Sequence, residues 1–219
     1  MEIFLNVLKK CPLFVDIDDE SLLRMLKCLG ARCEVYEKKS TILQEGIAVK
    51  HLGIVLSGSV QIIQIDYYGN RSIISTVTEG QLFAEAFACA SVTSLPVSIV
   101  ANEQSEIMLI DCGHILHTCA NGCGFHQQMI YNLMKDMAEK TLEFHKRIEI
   151  TAKRTTREKL LTYLSAVSKE KGSKQFDIPF DRQELADYLE VERSGLSAEI
   201  SKLRKEGVLK STKSHFVLL

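Results

Sequence analysis

Between Phe125 and Ile150 the chain carries neither Gly nor Pro, and Ile130, Met134, Met137, Thr141, Phe144 and Ile148 recur in steps of four and three. That is a heptad seam held over nearly three heptads, the pattern of an α-helix that shares one stripe with another helix. Leu133 and Leu142 lie off the seam, placed to face the strand-rich segment before it. One reading is a single amphipathic helix packed on its own domain. The other is a helix shared between two copies of the chain. Because seam and off-seam leucines are distinct, the second is preferred, with those six residues at a homodimer interface.

This rod separates two textures. Before it, from about residue 32, short β-branched and aromatic segments follow one another between Gly46, Gly53, Gly58, Gly69 and Gly80. Leu52–Val55, Val60–Asp66, Ser72–Val77, Val97–Ala101 and Ile107–Asp111 read as strands, with a hairpin over Asp66–Arg71 whose Gly69-Asn70 suits positive φ. Strands this short and this closely spaced predict an antiparallel roll or barrel. Ile62-Ile63 and Ile73-Ile74 break strict alternation, which a closed two-sheet roll tolerates. Two short helices precede it, divided by Pro12 and the acidic turn Asp16–Asp19, the second near 19–29.

After the rod, Thr155-Thr156-Arg157-Glu158 forms a capping box that starts a helix with Leu160, Leu161, Leu164 and Val167 inward and Gly172 as its stop. Phe176–Phe180 is a short strand. Charge divides along the same line. Residues 1–150 hold 13 Lys/Arg against 18 Asp/Glu, net −5, and residues 151–219 hold 14 against 10, net +4. An acidic front and a basic back imply two parts with different partners, the back one polyanionic.

No apolar run approaches the ~18 residues of a membrane span. Met1-Glu2-Ile3-Phe4 lacks the basic region of a signal peptide, so a cytoplasmic protein with no membrane partner is expected. Seven Cys are then reduced thiols, metal ligands or redox sensors rather than a disulfide framework.

The strongest signal lies between Asp181 and Leu209. Asp181 suits an N-cap; Leu185, Ala186 and Leu189 form the inner face of one short helix, and Leu196, Ile200 and Leu203 that of a second. Two short helices joined by a three- to four-residue turn describe a helix-turn-helix. The second presents Arg193, Ser194, Ser197 and Ala198 near its N-terminus, where base edges are read, and Lys202, Arg204 and Lys205 follow, suited to phosphates. Gly207–Leu209, a basic turn over Lys210–Ser214 and a strand over His215–Leu219 have the layout of a wing.

Across all 219 residues the chain resembles the family of the cyclic-AMP receptor protein and the fumarate-nitrate regulator, Crp/Fnr for short. The resemblance rests on Asp181-Arg182-Gln183-Glu184-Leu185-Ala186-Asp187-Tyr188-Leu189 followed by Glu192-Arg193-Ser194-Gly195-Leu196-Ser197. In the roll it rests on Leu56-Ser57-Gly58-Ser59-Val60 and Gly80-Gln81-Leu82-Phe83-Ala84-Glu85. It implies an α+β fold in three parts. These are an N-terminal antiparallel jelly roll of the cyclic-nucleotide-binding type (1–124), a long dimerisation helix (125–150) and a C-terminal winged helix-turn-helix (151–219). It implies a homodimeric transcription regulator, not an enzyme, with double-stranded DNA and RNA polymerase as partners. Arg182, Arg193, Ser194, Ser197, Lys202, Lys205 and Lys213 are the DNA-contacting residues under that resemblance.

Departures from the family's pattern matter. Glu190 stands where the family places Gly in the helix-helix turn, a left-handed position that costs a side chain up to ~1 kcal/mol. Ala198 stands where many relatives carry a guanine-reading Arg. In the roll, Ala84-Glu85 is followed by Leu95-Pro96 where relatives place the Arg-Ser that grips a cyclic phosphate. Leu cannot pair a buried anion and Pro has no N–H, so cyclic-AMP binding by the family's usual grip is not expected. Gly58, Phe83, Glu85, Leu95 and Pro96 line the place where an effector, a small molecule of unknown identity, would sit.

From Cys112 to His126 three Cys and three His fall within 15 residues. Cys112, Cys119, Cys123 and His126 are the metal candidates there. Their spacing matches neither a zinc knuckle nor a ferredoxin cluster, so buried thiols at the roll-to-helix junction are the plainer reading. A metal or redox sensor at this cluster is one alternative function. A ligand-binding module whose C-terminal part contacts protein is another, and a metal-dependent hydrolase a third, although H-E-x-x-H, G-x-S-x-G and a phosphate-cradling loop are all missing. No cofactor is assigned.

Overall fold

Helix starts are set by side chains that satisfy the free amides of a first turn. Asp18 does this at the N-terminal side of the roll, accepting from the Ser21 N–H at 3.0 Å. The computed structural model describes residues 2–69, 71–116 and 124–219, and the chain divides into two compact units, Met1–Glu139 and Lys140–Leu219.

Unit one begins with α1 (Leu5–Leu8) and α2 (Asp19–Cys28), followed by β1 (Arg32–Tyr36), β2 (Thr41–Leu43), β3 (His51–Ser57), β4 (Ser59–Ile65), β5 (Arg71–Thr78) and β6 (Leu82–Phe83). Then come α3 (Glu85–Cys89), β7 (Ser98–Ala101), β8 (Ser105–Asp111), α4 (Cys112–Leu116) and the first half of α5 (Gly124–Thr151). Two antiparallel four-stranded sheets form, ordered β1-β8-β3-β6 and β2-β7-β4-β5. The five strands expected from sequence are present. β1, β2 and β6 are additional. β1 is largely exposed, and the other two are three and two residues long, too short for a period to show.

Two cores explain the weak alternation. On β3, Leu52, Ile54 and Leu56 pack with Leu8, Leu22, Leu26, Met129 and Leu133, beneath the helices. Val55, on the opposite face, joins Val60, Phe83, Leu95, Ile99 and Leu109 inside the roll. β8 divides in the same way, with Met108 and Ile110 outward and Ile107 and Leu109 inward. The apolar pairs singled out in the sequence have another cause. The β4–β5 register shifts between Ile62 and Ile63, and Ile73 and Ile74 are exposed on edge strand β5 rather than buried on both faces.

Gly53 on β3 faces the Phe83 ring so closely that a Cβ there would fall 2.0 Å from the ring's Cζ. Phe83 is 1% exposed and has nowhere to retreat. Gly53→Ala is therefore expected to cost about 3 kcal/mol, at the upper end of overpacking substitutions. Thermal unfolding of the variant should fall by roughly 6–12 °C for a chain of this size. An unchanged midpoint would mean that the ring is free to move.

Unit two holds the second half of α5, α6 (Thr156–Lys171), β9 (Gln175–Asp177), α7 (Arg182–Leu189), α8 (Arg193–Lys205), β10 (Leu209–Thr212) and β11 (His215–Leu218). The capping box forms: Glu158 N–H donates to Thr155 Oγ1 at 3.1 Å, and Thr155 N–H to Glu158 Oε2 at 3.1 Å. Gly172 ends α6 at φ +60°. Leu160, Leu164, Phe176, Leu185, Leu196, Leu203, Leu209 and Phe216 form the core, against the three-stranded sheet β10-β11-β9. The wing turn is tighter than the sequence suggested: Lys210–Thr212 belongs to β10, and only Lys213-Ser214 turns, with Lys213 at φ +53°. Among the described residues no helix is long and apolar enough to cross a membrane.

Candidate nucleic-acid interface and effector roll

Asp181 caps α7 as its sequence implied, its Oδ1 accepting from the Glu184 N–H at 2.8 Å while the Asp181 N–H donates to Glu184 Oε2 at 2.7 Å. Glu190 ends the helix in the left-handed region, φ +53° and ψ +55°. Two cations ease that position. Lys159 Nζ donates to the Leu189 and Glu190 carbonyls at 3.1 and 3.3 Å, and the Arg147 guanidinium lies 3.6 Å from the Glu190 carboxylate. The ion pair is exposed and worth little, whereas the backbone strain is intrinsic. Glu190→Gly should therefore stabilise the chain by about 0.5–1 kcal/mol, read as a rise in the denaturation midpoint. A fall would show that the Arg147 contact outweighs the strain.

Val191 and Glu192 lead directly into α8, whose N-cap, Glu192, makes no side-chain cap, leaving the first amides open. Leu196, Ile200 and Leu203 point into the core. Arg193, Ser194, Ala198, Lys202 and Lys205 are exposed on the opposite face, with Ser197 half-exposed beside them. α8 is braced from behind, since Arg157 on α6 donates to Glu199 at 3.4 Å and meets the Glu206 carboxylate at 2.7 Å.

Arg182 sits differently from the other expected contact residues. Its guanidinium is half-buried, 5.8 Å from the Phe216 ring centroid, and donates to the Lys213 carbonyl at 3.4 Å. Burial, followed by the like charge of Arg193, holds its pKa below the usual guanidinium value. It supports the wing turn as well as lining the groove beside it. That groove runs between α8 and the wing, lined by Arg182, Ser197, Ser201, Arg204, Thr212 and Lys213. It adjoins a second hollow lined by Ser201, Arg204, Lys205, Lys210 and Thr212. Ser201 was not singled out from sequence, and Lys210 and Thr212 entered only as part of the wing's basic turn. The signal was available, since Ser201 is four residues beyond Ser197 on α8, and Lys210 and Thr212 are the two exposed alternates of β10.

Charge pairing separates the two faces of this unit. Arg147, Lys146 and Arg157 are matched by Glu190, Glu170, Glu199 and Glu206. Among the described residues, no acidic side chain pairs with Arg193, Lys202, Arg204, Lys205, Lys210 or Lys213. Among the described residues the wing face thus holds cations with no acidic partner, next to hydroxyls and free helix amides. Such a surface suits a phosphate backbone.

On α5, Met129 and Leu133 are buried in the core of unit one, and Ile130 and Met137, two of the seam positions, are half-buried against it. The remaining seam faces outward: Met134 is 66% exposed, Phe144 64% and Ile148 60%, with Thr141 also exposed. Leu142, expected to face the strand segment, is 60% exposed instead.

In the roll, Gly58 takes φ +79°, and a Cβ there would meet Ser105 Oγ at 2.5 Å and the Gln104 carbonyl at 2.6 Å, so its role is the β3–β4 turn. Phe83 and Leu95 belong to the roll's apolar core. Leu95 is fully buried, donating its N–H to the Ile47 carbonyl at 3.0 Å and accepting from the Gly46 N–H at 2.9 Å. Pro96 is exposed. Glu85, 7% exposed, opens α3 directly after Ala84 at φ +60° and is the one charged side chain of the five.

Of the metal candidates, Cys119 and Cys123 lie outside the described residues, as does His117. His126, buried, has Nε2 2.6 Å from the Ile115 carbonyl, and His114 has Nδ1 3.0 Å from the Leu29 carbonyl, each placed to donate to the backbone. Cys112 Sγ lies 2.9 Å from Cys89 Sγ, a partner 23 residues away that the sequence reading did not connect to it. Among the described residues no three His, Cys, Asp or Glu side chains gather to hold a metal.

Residues 33–121 match the family profile of the cyclic nucleotide-binding domain, and residues 158–219 match that of the Crp-like helix-turn-helix domain. A cyclic-nucleotide-binding-type roll ahead of a Crp-like DNA-binding domain defines a transcription regulator of that architecture. The chain belongs to the Crp/Fnr family. Solved structures agree on the fold. The catabolite activator protein of Thermus thermophilus superposes with a TM-score of 0.51 at 20% identity, over 95% of this chain and 93% of that one. The c-di-GMP responsive global regulator CLP of Xanthomonas campestris gives 0.55 at 18%, over 92% and 99%. DNR of Pseudomonas aeruginosa gives 0.52 at 16%, over 100% and 95%. No curated protein matches the sequence.

Proposed function

We propose that the protein is a homodimeric, effector-responsive regulator that reads a two-fold symmetric DNA site, with RNA polymerase as the machinery it acts upon. Residues 1–124 serve as sensor, 125–150 as dimer helix and 151–219 as DNA-binding domain. The observation that carries this reading is the set of unpaired cations on α8 and the wing, beside a groove lined with hydroxyls. Arg193, Ser194 and Ser197 lie on the exposed face of the recognition helix and contact base edges; Lys202, Arg204, Lys205 and Lys213 contact phosphates. The exposed Met134, Phe144 and Ile148 meet the same residues of a second copy.

The effector is not cyclic AMP held in the family's usual way. Leu95 fills the position of the phosphate-gripping Arg as a fully buried core residue, and a buried anion beside it would go unpaired. One neighbour of the same fold is described as c-di-GMP responsive, which supports looking beyond cyclic AMP for the effector. The activity is binding rather than catalysis.

Selection of duplexes from a random pool by the full chain tests the reading. Enriched sites should carry two half-sites with centres about 10 base pairs apart, and binding should weaken steeply with salt. Failure to enrich any duplex, or binding that ignores salt, would favour a C-terminal domain that contacts protein.

A further inference from the structure

Cys89 closes α3 and Cys112 opens α4. The fold of unit one brings their sulfurs to 2.9 Å. Cys112 is 2% exposed, while Cys89, at the end of α3, is partly buried against both apolar cores of unit one. Cys89 is thus the more exposed residue of the pair. Neither takes part in the DNA-facing or dimer-facing geometry.

We infer that Cys89 and Cys112 form a peroxide-reactive dithiol, whose product is an intramolecular disulfide tying α3 to α4. A disulfide needs its sulfurs about 2.05 Å apart, so closure requires roughly 0.9 Å of further approach, within the reach of side-chain rotation. The electrostatics agree with the division of roles. Either sulfur can donate across this contact; with Cys112 as donor the Cys89 thiol is drawn below its usual pKa, against the opposing effects of burial and Glu85. The same hydrogen bond, followed by burial, keeps Cys112 protonated. Two thiols already in contact, one of them less buried than the other, are the arrangement in which oxidation of the first is resolved by the second.

The chemistry balances. The Cys89 thiolate attacks one peroxide oxygen, the O–O bond breaks, and an S–O bond forms. Hydroxide leaves and takes up a proton to become water. Sulfur loses two electrons and the peroxide gains them. Cys112 then attacks the Cys89 sulfur, the S–O bond breaks, and a second water departs with the Cys112 proton. One peroxide and two thiols become one disulfide and two waters.

The product would act at a sensitive place. α3 begins at Glu85, the one charged side chain among the five proposed effector positions, and α4 offers the Ile115 carbonyl to His126 at the start of α5. A covalent tie between α3 and α4 links these two features within unit one.

The test uses the reduced full chain and hydrogen peroxide at one to a few equivalents, followed by alkylation, digestion and mass spectrometry. The expected first product is a linked peptide pair joining Cys89 to Cys112, with the exposed Cys28 and Cys33 still alkylated. Cys112→Ser should leave a sulfenic acid at Cys89 that dimedone traps, and Cys89→Ser should leave Cys112 unoxidised. Pairing of Cys89 with any other cysteine, or oxidation no faster than that of Cys28, would overturn the inference. Because the linkage is mapped on the unsubstituted chain without DNA, neither a misfolded variant nor a failure of the DNA-binding reading can obscure it.

Discussion

Replacing Arg193, Arg204 and Lys213 together with alanine is expected to weaken duplex binding by about a thousandfold and to flatten its salt dependence. In a dimer the triple substitution removes six cations from the DNA-facing surface. If each neutralises one phosphate, the slope of log affinity against log salt should become shallower by about 5. Arg193 is the residue proposed to read base edges, so its loss alone should also relax sequence preference, whereas Lys213→Ala should weaken all duplexes alike. The fold should be spared. These side chains have no acidic partner among the described residues, and surface changes of this kind move stability by no more than about 0.5 kcal/mol. Arg157→Ala provides the contrast, because that guanidinium braces α8 through Glu199 and Glu206. Its removal should lower the unfolding midpoint and reduce DNA affinity only indirectly. Titrations at several salt concentrations decide the matter. A triple variant with unchanged affinity, or with weaker affinity but an unchanged slope, would remove the DNA from the proposed function.

The double substitution Phe144→Glu and Ile148→Glu should convert the dimer into single chains. Burying a side chain of either type is worth about 1.5–3 kcal/mol, and a two-fold interface buries each twice. The dimer should therefore weaken by at least about four orders of magnitude, before any repulsion among the four new carboxylates is counted. Both residues are more than half exposed in the single chain, so the fold itself does not depend on them. Sedimentation equilibrium should give twice the 24.6 kDa chain mass for the parent and one chain mass for the variant. Duplex affinity should fall by about 10²–10⁴ as two linked recognition helices become independent. A parent that sediments as a single chain would refute the shared helix. A variant that remains paired would place the interface elsewhere.

Elements built on local patterns were legible in advance. The Gly-free run with its heptad seam became α5, the Thr155–Glu158 box became the start of α6, and the two apolar faces after Asp181 became α7 and α8. Even the strain at Glu190 was readable, because the family resembled places Gly at that turn position and Glu190 takes the left-handed φ there. The short strands β2 and β6 were not, since two or three residues show no period. The seam was only partly resolved. Ile130 and Met137 share its spacing with Met134 and Phe144, yet they pack on their own unit.

What the chain's own order of residues determined was therefore the succession of elements and the basic helix-turn-helix. The tertiary structure alone decided three things. It set Cys89 against Cys112 across 23 residues, it neutralised Arg157 but not Arg204, and it buried one part of the α5 seam while exposing the rest. Periodicity states which face of its own helix or strand a side chain occupies, because that follows from backbone geometry. Which distant segment meets that face depends on how the chain closes upon itself, and no local pattern records it.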